Sequence, residues 1–319
     1  MMPARPQALL LVLAAACSPT LATRYAVVGP TGYQAVSLLG DTLWTLPVDP
    51  KRGPGLVEQL QKARGRNAVE YPPVEDRLLL AKRTAEMGRL REALVLLSTT
   101  AQAHFNDPRV FRQRGEVLLA LREFAAARSD FQKAGALLIG KTGLAELTEL
   151  PDGIGSQLTT VGFQAAFYLG VTHYLLGAWV ASRDVLIEAV KEAPNDDNLA
   201  QAAVWLFFAT RRIGTGAAAT EVLRALSPDL KVDLNRDEYD LLLAYKGLIP
   251  SDSINVLALA RDGGGARALY AYGIGMWHLV RGQEAEAASW FEEARTTPDW
   301  TTLPYIAAEA ELVRLRGKS

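Results

Sequence analysis

Phe111-Arg-Gln-Arg-Gly115-Glu-Val-Leu-Leu-Ala-Leu-Arg-Glu-Phe124-Ala-Ala-Ala127-Arg-Ser-Asp-Phe131-Gln-Lys-Ala134 reads as two helices joined by a short turn. A small residue stands in the middle of the first helix, and apolar residues of alternating size follow at helical spacing in the second. Two further passages repeat the pattern. One runs from Phe167-Tyr-Leu-Gly170 through Tyr174, Gly177, Trp179, Leu186, Ala189 and Pro194. The other runs from Tyr272-Gly-Ile-Gly275 through Gly282, Ala287, Phe291, Ala294 and Pro298. A unit that recurs at a spacing of about 34 residues cannot bury its apolar face alone, so neighbouring units must stack.

The residue types follow from that packing. Gly115, Gly170 and Gly275, with Ala127 and Ala287, let two backbones approach, and Phe131, Leu186 and Phe291 fill the space so created. Gly88, Gly177, Gly214 and Gly282 are placed to end first helices at positive φ, and Pro108, Pro194 and Pro298 to stop second helices. Weaker copies stand at Asp76 to Phe105, Asn198 to Leu226 and Asp237 to Arg261, the last being the most eroded.

On these residues the chain resembles the tetratricopeptide-repeat family from about Asp76 onward. The resemblance implies an all-α, right-handed superhelical solenoid of about six helix pairs, with Leu303 to Arg316 as a C-terminal capping helix. Three stretches depart from the repeat. Residues 138–163 form an insert around Pro151-Asp-Gly153-Ile-Gly155, read as a loop with room for a short helix. Residues 18–50 are an irregular tether or strap, and Leu56 to Arg64 is a short leading helix before the repeats within the solenoid of 51–319.

Bulk composition excludes several functions. Among 319 residues, Lys plus Arg number 34 and Asp plus Glu 35, so no global field draws nucleic acid or an anionic membrane. The only cysteine, Cys17, rules out an internal disulfide and a cysteine-based zinc site. Arg5 precedes the apolar run Ala8 to Ala16, which is too short to span a bilayer and leads through small residues to Cys17. Residues 1–17 therefore read as an export signal. Leu13-Ala-Ala-Ala-Cys17 is similar to a bacterial lipobox, with the leucine one position further from the cysteine than usual. The resemblance implies an exported lipoprotein of the cell envelope, anchored at Cys17 and facing the periplasm; simple cleavage before Cys17 or after Ala22 is the alternative.

Motifs that look chemical have plainer accounts. Gly135-Ala-Leu-Leu-Ile-Gly140-Lys141-Thr142 satisfies the phosphate-loop pattern, but it follows a helix where a strand is required. Asp233-Leu-Asn235-Arg-Asp237 begins like a calcium loop, yet Glu238 stands where glycine is needed and Ala244 where glutamate is needed. It reads as a helix N-terminus capped by Asn235 or Asp237, and Asp196-Asp197 as another cap. His173 and His278 share one repeat position and read as packed imidazoles. No catalytic, cofactor or metal site is expected.

In the family the concave face is lined by first helices, and partners lie along it. Carried over position by position, this face comprises Arg109, Arg112 and Glu116, then Gln164, Phe167 and Tyr174. Gln201, Phe208, Arg211 and Arg212 continue it, and Tyr272 and Met276 end it. Arginines among aromatic residues are the types enriched at interface hot spots. The expected function is a scaffold for a protein or peptide ligand, with the bilayer reached only through the anchor. Self-assembly into a homo-dimer through an apolar face near Trp205 or Trp277 is the structural alternative, and nucleotide binding through Lys141 the remote one.

Overall fold

A computed structural model describes residues 32–46, 53–141, 143–146, 159–214, 216–250, 253 and 265–317. The signal, Cys17, Thr142, the centre of the insert and the second helix of the fifth repeat lie outside the described residues.

The described chain is an all-α array of antiparallel helix pairs preceded by a small hairpin. A leading helix α1 (Gly53–Arg66) is followed by the pairs α2 (Val74–Glu86) and α3 (Leu90–Ala103), α4 (Pro108–Ala120) and α5 (Phe124–Leu138), α6 (Val161–Leu175) and α7 (Trp179–Lys191), and α8 (Asp196–Ile213) and α9 (Gly216–Ala225). Then come α10 (Arg236–Tyr245), the pair α11 (Gly265–Leu279) and α12 (Glu284–Ala294), and α13 (Leu303–Arg316). Each first helix touches the next, from α2 through α4, α6, α8 and α10 to α11. This is the stacking that the repeat requires.

Local signals set the boundaries. Asp107 accepts a hydrogen bond from the Arg109 amide (2.9 Å), with Pro108 as the first residue of α4, so this proline starts a helix rather than stopping one. Thr160 caps α6 at Phe163 N (3.1 Å) and Asn195 caps α8 at Asn198 N (2.9 Å). Gly88, Gly177, Gly214 and Gly282 have φ of 72°, 77°, 89° and 76° at the turns, as their spacing demands. The glycines inside helices are seats for side chains. A Cβ on Gly115 would lie 2.6 Å from the Phe131 ring, on Gly170 2.5 Å from Leu186, and on Gly275 2.5 Å from Phe291. In each case the filling residue comes from the second helix of the same pair.

Two elements differ from expectation. Within the stretch read as an irregular strap, β1 (Tyr33–Val36) and β2 (Thr42–Trp44) pair antiparallel. The hairpin clasps both ends of the array. Gln34 Oε1 accepts from the Arg91 amide (3.1 Å) in the first pair. At the other end, Trp44 O accepts from Trp300 Nε1 (2.9 Å), and the Leu38 amide donates to Glu309 Oε2 (3.2 Å). Leu46 lies so close to Gly88 that a Cβ there would sit 2.9 Å from its nitrogen.

The second difference is how deeply α13, the expected capping helix, is buried. Every residue from Tyr305 to Leu312 is buried, including Glu309 and Glu311, each at 0% exposure. The helix packs on α11 and α12 and crosses to α6, filling the concave face of the C-terminal half. Its two carboxylates are met by arginines from distant repeats. Arg122 Nη2 and Nε donate to Glu309 at 2.8 and 3.1 Å, and Nη2 also reaches Trp300 O at 2.9 Å. Glu311 pairs with Arg314 at 2.9 Å and Arg212 at 3.4 Å. Arg122 occupies the turn where other copies carry glycine, and it keeps the positive φ of 66°. A left-handed conformation costs a non-glycine residue about 1–2 kcal/mol, which the buried bidentate pair offsets.

Candidate functional site

Where α13 begins, the concave face opens. Thr301 and Thr302, with Leu303 and Pro304 at the helix start, close one end of a cleft of about 700 Å³, whose walls are the first helices α2, α4, α6 and α8 and the starts of α10 and α11. That volume falls within the about 300–1,000 Å³ typical of ligand sites.

Five of the residues carried over from the family line this cleft: Arg112, Glu116, Gln164, Phe167 and Gln201. Arg112 is the hub. It is only 6% exposed, donates to Glu116 Oε2 at 2.6 Å and forms a close pair with Glu146 Oε1. Burial alone would depress its pKa, but the Glu146 and Glu116 carboxylates outweigh that and hold it above the ordinary guanidinium value. Tyr168 Oη donates to Glu116 Oε1 at 3.2 Å; burial, reinforced by that carboxylate, raises the phenol well above its usual range.

Glu146 comes from the stem of the insert. There Ala145 and Thr160 form an antiparallel bridge, with the Glu146 amide donating to Thr159 O (3.2 Å) and the Val161 amide to Leu144 O (2.9 Å). The insert thus delivers a carboxylate to the wall. Two acceptor oxygens there lack a partner: Glu146 Oε2, and Gln113 Oε1, whose amide nitrogen is committed to Leu78 O at 3.1 Å. A buried acceptor left unpaired costs about 1–3 kcal/mol. At the far side stands Glu238. Burial, with Asp237 and Asp197 adding repulsion, pushes its carboxyl up to about 7. Five carboxylates line the cleft (Glu86, Glu116, Glu146, Asp237 and Glu238) against the cations Lys82 and Arg112, so its field is negative.

The other carried-over residues lie elsewhere. Tyr174, Phe208, Tyr272 and Met276 are core, at 0%, 0%, 0% and 2% exposure: α13 packs across α6 and α11, and Phe208 is enclosed by Trp205, Phe207, Tyr245 and Tyr272. Tyr174 Oη and Tyr272 Oη are 2.7 Å apart, and Tyr174 Oη also reaches Glu311 Oε1 at 3.3 Å. Arg212 faces Glu311 and stacks 4.2 Å from the Trp179 ring centroid. Arg109 joins two helix starts by pairing with Asp107 (2.6 Å) and Glu75 (2.8 Å). Arg211 lies in a separate pocket described below. Trp205, named as a pairing face, is 2% exposed and stacks among Tyr174, Phe208 and Tyr272, so it is no surface for a second copy.

The motif stretches resolve into helix ends. Gly135 to Leu138 are the last residues of α5, so their amides point along a helix and do not wrap an anion. Asp197 Oδ1 accepts from the amides of Asp233, Leu234 and Asn235 (3.1, 2.7 and 2.8 Å), and Asp196 Oδ2 from that of Lys231 (2.8 Å). These aspartates tie one repeat to the next; the cap itself is Asn195. His173 and His278 are half-buried, and His278 Nδ1 lies 2.9 Å from Gln283 Oε1. No group of acidic, histidine or cysteine side chains that could hold a metal occurs among the described residues. No described helix is long and apolar enough to cross a membrane.

Sequence reasoning missed Gln113, Glu146, Tyr168 and Glu238. Gln113 and Tyr168 each adjoin a carried-over position, whereas Glu146 stands in an insert outside the repeat and Glu238 in the most eroded copy. No family model matches the chain, and no curated protein does. Among solved structures it is similar to a tetratricopeptide repeat protein from Parabacteroides merdae ATCC 43184, at 15% identity and a TM-score of 0.47 over 77% of this chain and 88% of that one.

Proposed function

We propose that the chain is a non-catalytic scaffold that holds a cationic segment of a protein or peptide in the cleft between α2, α4, α6, α8 and α10. The observation that carries this reading is the wall itself. Gln113 and Glu146 are about nine-tenths buried, each keeps an acceptor oxygen without a partner, and the surrounding charge is negative. A ligand rich in N–H donors and carrying positive charge supplies what that wall lacks. Lysine and arginine side chains supply donors to those acceptors and charge to the wall; the unpartnered Arg112 Nε is the one group there that they leave unmet.

The test is titration with short lysine-rich and glutamate-rich peptides. The lysine-rich peptide binds, more weakly at high salt, and a Glu116→Lys, Glu238→Lys double variant loses at least tenfold in affinity. Equal binding of both peptides, or an unchanged affinity in the variant, overturns the assignment.

We also propose, from the signal-like and lipobox-like pattern of residues 1–17, export and a lipid anchor at Cys17, with the scaffold at the cell envelope on the periplasmic side. Cys17→Ser then releases the protein from the membrane fraction; retention of the variant there excludes lipidation at that position.

A further inference from the structure

Arg211 is one of the carried-over residues that lie outside the cleft. It stands near the end of α8, beside a second pocket of about 130 Å³ formed with α9, Tyr245 at the end of α10, and α11. The lining is mostly apolar and includes four aromatic rings. The Phe207 and Tyr245 centroids are 4.5 Å apart, those of Tyr245 and Trp277 5.8 Å, and Met276 and Val280 complete the wall. Tyr245 Oη is committed to Gly273 O at 2.6 Å, so the residue offers the pocket its ring. A cavity of about 150 Å³ lined by apolar side chains accepts benzene, so a benzene-sized group sets the scale here.

Two guanidiniums stand at this pocket. Arg281 lies over the Trp277 ring, 3.2 Å from its centroid, with Nη1 bonded to Trp277 O at 2.9 Å. Burial and the neighbouring Arg211 charge depress its pKa, and the other titratable group acting on it is Tyr245. No carboxylate pairs with either arginine among the described residues. A Cβ on Gly216, the first residue of α9, would lie 3.5 Å from Arg211 Nη1, so the positive end of that helix adds to the same field. Like charges gathered without a counter-charge against an apolar wall are electrostatically costly, and an anion with an apolar body relieves both features.

We infer that this pocket is a second ligand site, independent of the cleft, which takes a small organic monoacid with an aromatic or branched aliphatic body. The carboxylate sits between Arg211 and Arg281, and the body enters among Phe207, Tyr245 and Trp277.

Calorimetric titration of the full chain with phenylacetate, phenylacetamide and inorganic phosphate tests it. Phenylacetate binds at least tenfold more tightly than either of the others, because only it has both the charge and the ring. Arg281→Gln and Arg211→Gln each weaken it by at least tenfold while the lysine-rich peptide still binds the cleft. Equal binding of acid and amide, tighter binding of phosphate, absence of phenylacetate binding, or insensitivity to both variants overturns the site. A thermal transition unchanged in Arg281→Gln, whose side chain is exposed, separates loss of the site from loss of the fold.

Discussion

The two halves of the concave face are built from equivalent first-helix positions and come to opposite ends. In the C-terminal half, Tyr174, Phe208, Tyr272 and Met276 are buried among helices, and Glu309 and Glu311 of α13 are met by arginines, although Glu311 Oε2 and Arg212 Nε keep no hydrogen-bond partner. In the N-terminal half, Arg112, Glu116, Gln164 and Gln201 face a cleft, and buried acceptors remain unsatisfied in its wall. A repeat position has no fixed role as core or as site; whatever covers it decides. One helix of the same chain helps turn one part of the first-helix face into hydrophobic core and leaves the other part as an open cleft.

Deleting residues 303–319 breaks this comparison most severely. The stability of a domain is about 5–15 kcal/mol, and exposing Trp205, Tyr174 and Tyr272 while orphaning Arg122 removes a large share of it. The truncated chain should bind a hydrophobic dye and lose its single cooperative unfolding transition. If it unfolds as the full chain does, α13 is an appendage.

A finer cut is Arg122→Ala, which leaves the buried Glu309 without its guanidinium and with only the Leu38 amide as donor, and should cost about 3–5 kcal/mol in urea denaturation. Arg122→Gly should cost about 1 kcal/mol less, because glycine relieves the positive φ. A reversed ranking would show that the turn conformation carries no strain.

Repeat packing is probed by Gly170→Ala, expected to cost about 1–3 kcal/mol because the new methyl meets Leu186. Gly135→Ala, in the last turn of α5 with nothing within 4 Å, should instead gain about 0.5–1 kcal/mol. That variant also removes the first glycine of the phosphate-loop pattern, so unaltered behaviour with nucleotides is expected. Should Gly170→Ala prove neutral in thermal denaturation, the seat is wider than it looks.

The smallest effect belongs to the open half. Glu238 holds its proton more tightly in the folded state, near pH 7, than at its ordinary value of 4.5. Its contribution to stability is therefore present below about pH 4.5 and declines as the pH rises through about 7. Glu238→Gln should remove that decline, raising stability at pH 8 by about 1 kcal/mol once solvent at the cleft is allowed for. It should also weaken binding of the lysine-rich peptide above pH 7. An identical pH profile in the variant would show that Glu238 is already solvated.

The helix pairs were legible because their signals are local. Gly115 with Phe131, Gly170 with Leu186, and Gly275 with Phe291 lie sixteen residues apart in sequence and meet within one pair. Positive-φ Gly177 and Gly282 mark two of the turns between them, and Arg122 takes that place in the third. Seven of the twelve residues carried over from the family lie outside the cleft, since a first-helix aromatic looks the same whether it faces open space or a neighbouring helix. Arg112 and Glu116 were legible as cleft residues, but Glu146 was not, since it arrives from an insert with no repeat register.

What the sequence by itself determined is therefore the unit, its period and its close glycine contacts, all set by side-chain volume over short separations. What only the tertiary structure decided is where α13 goes and hence where the face stays open. That placement depends on Arg122 meeting Glu309 across 187 residues of chain, and on Tyr174 meeting Tyr272 across 98. Desolvating those charges is favourable only when both partners arrive together, a condition that no local pattern records.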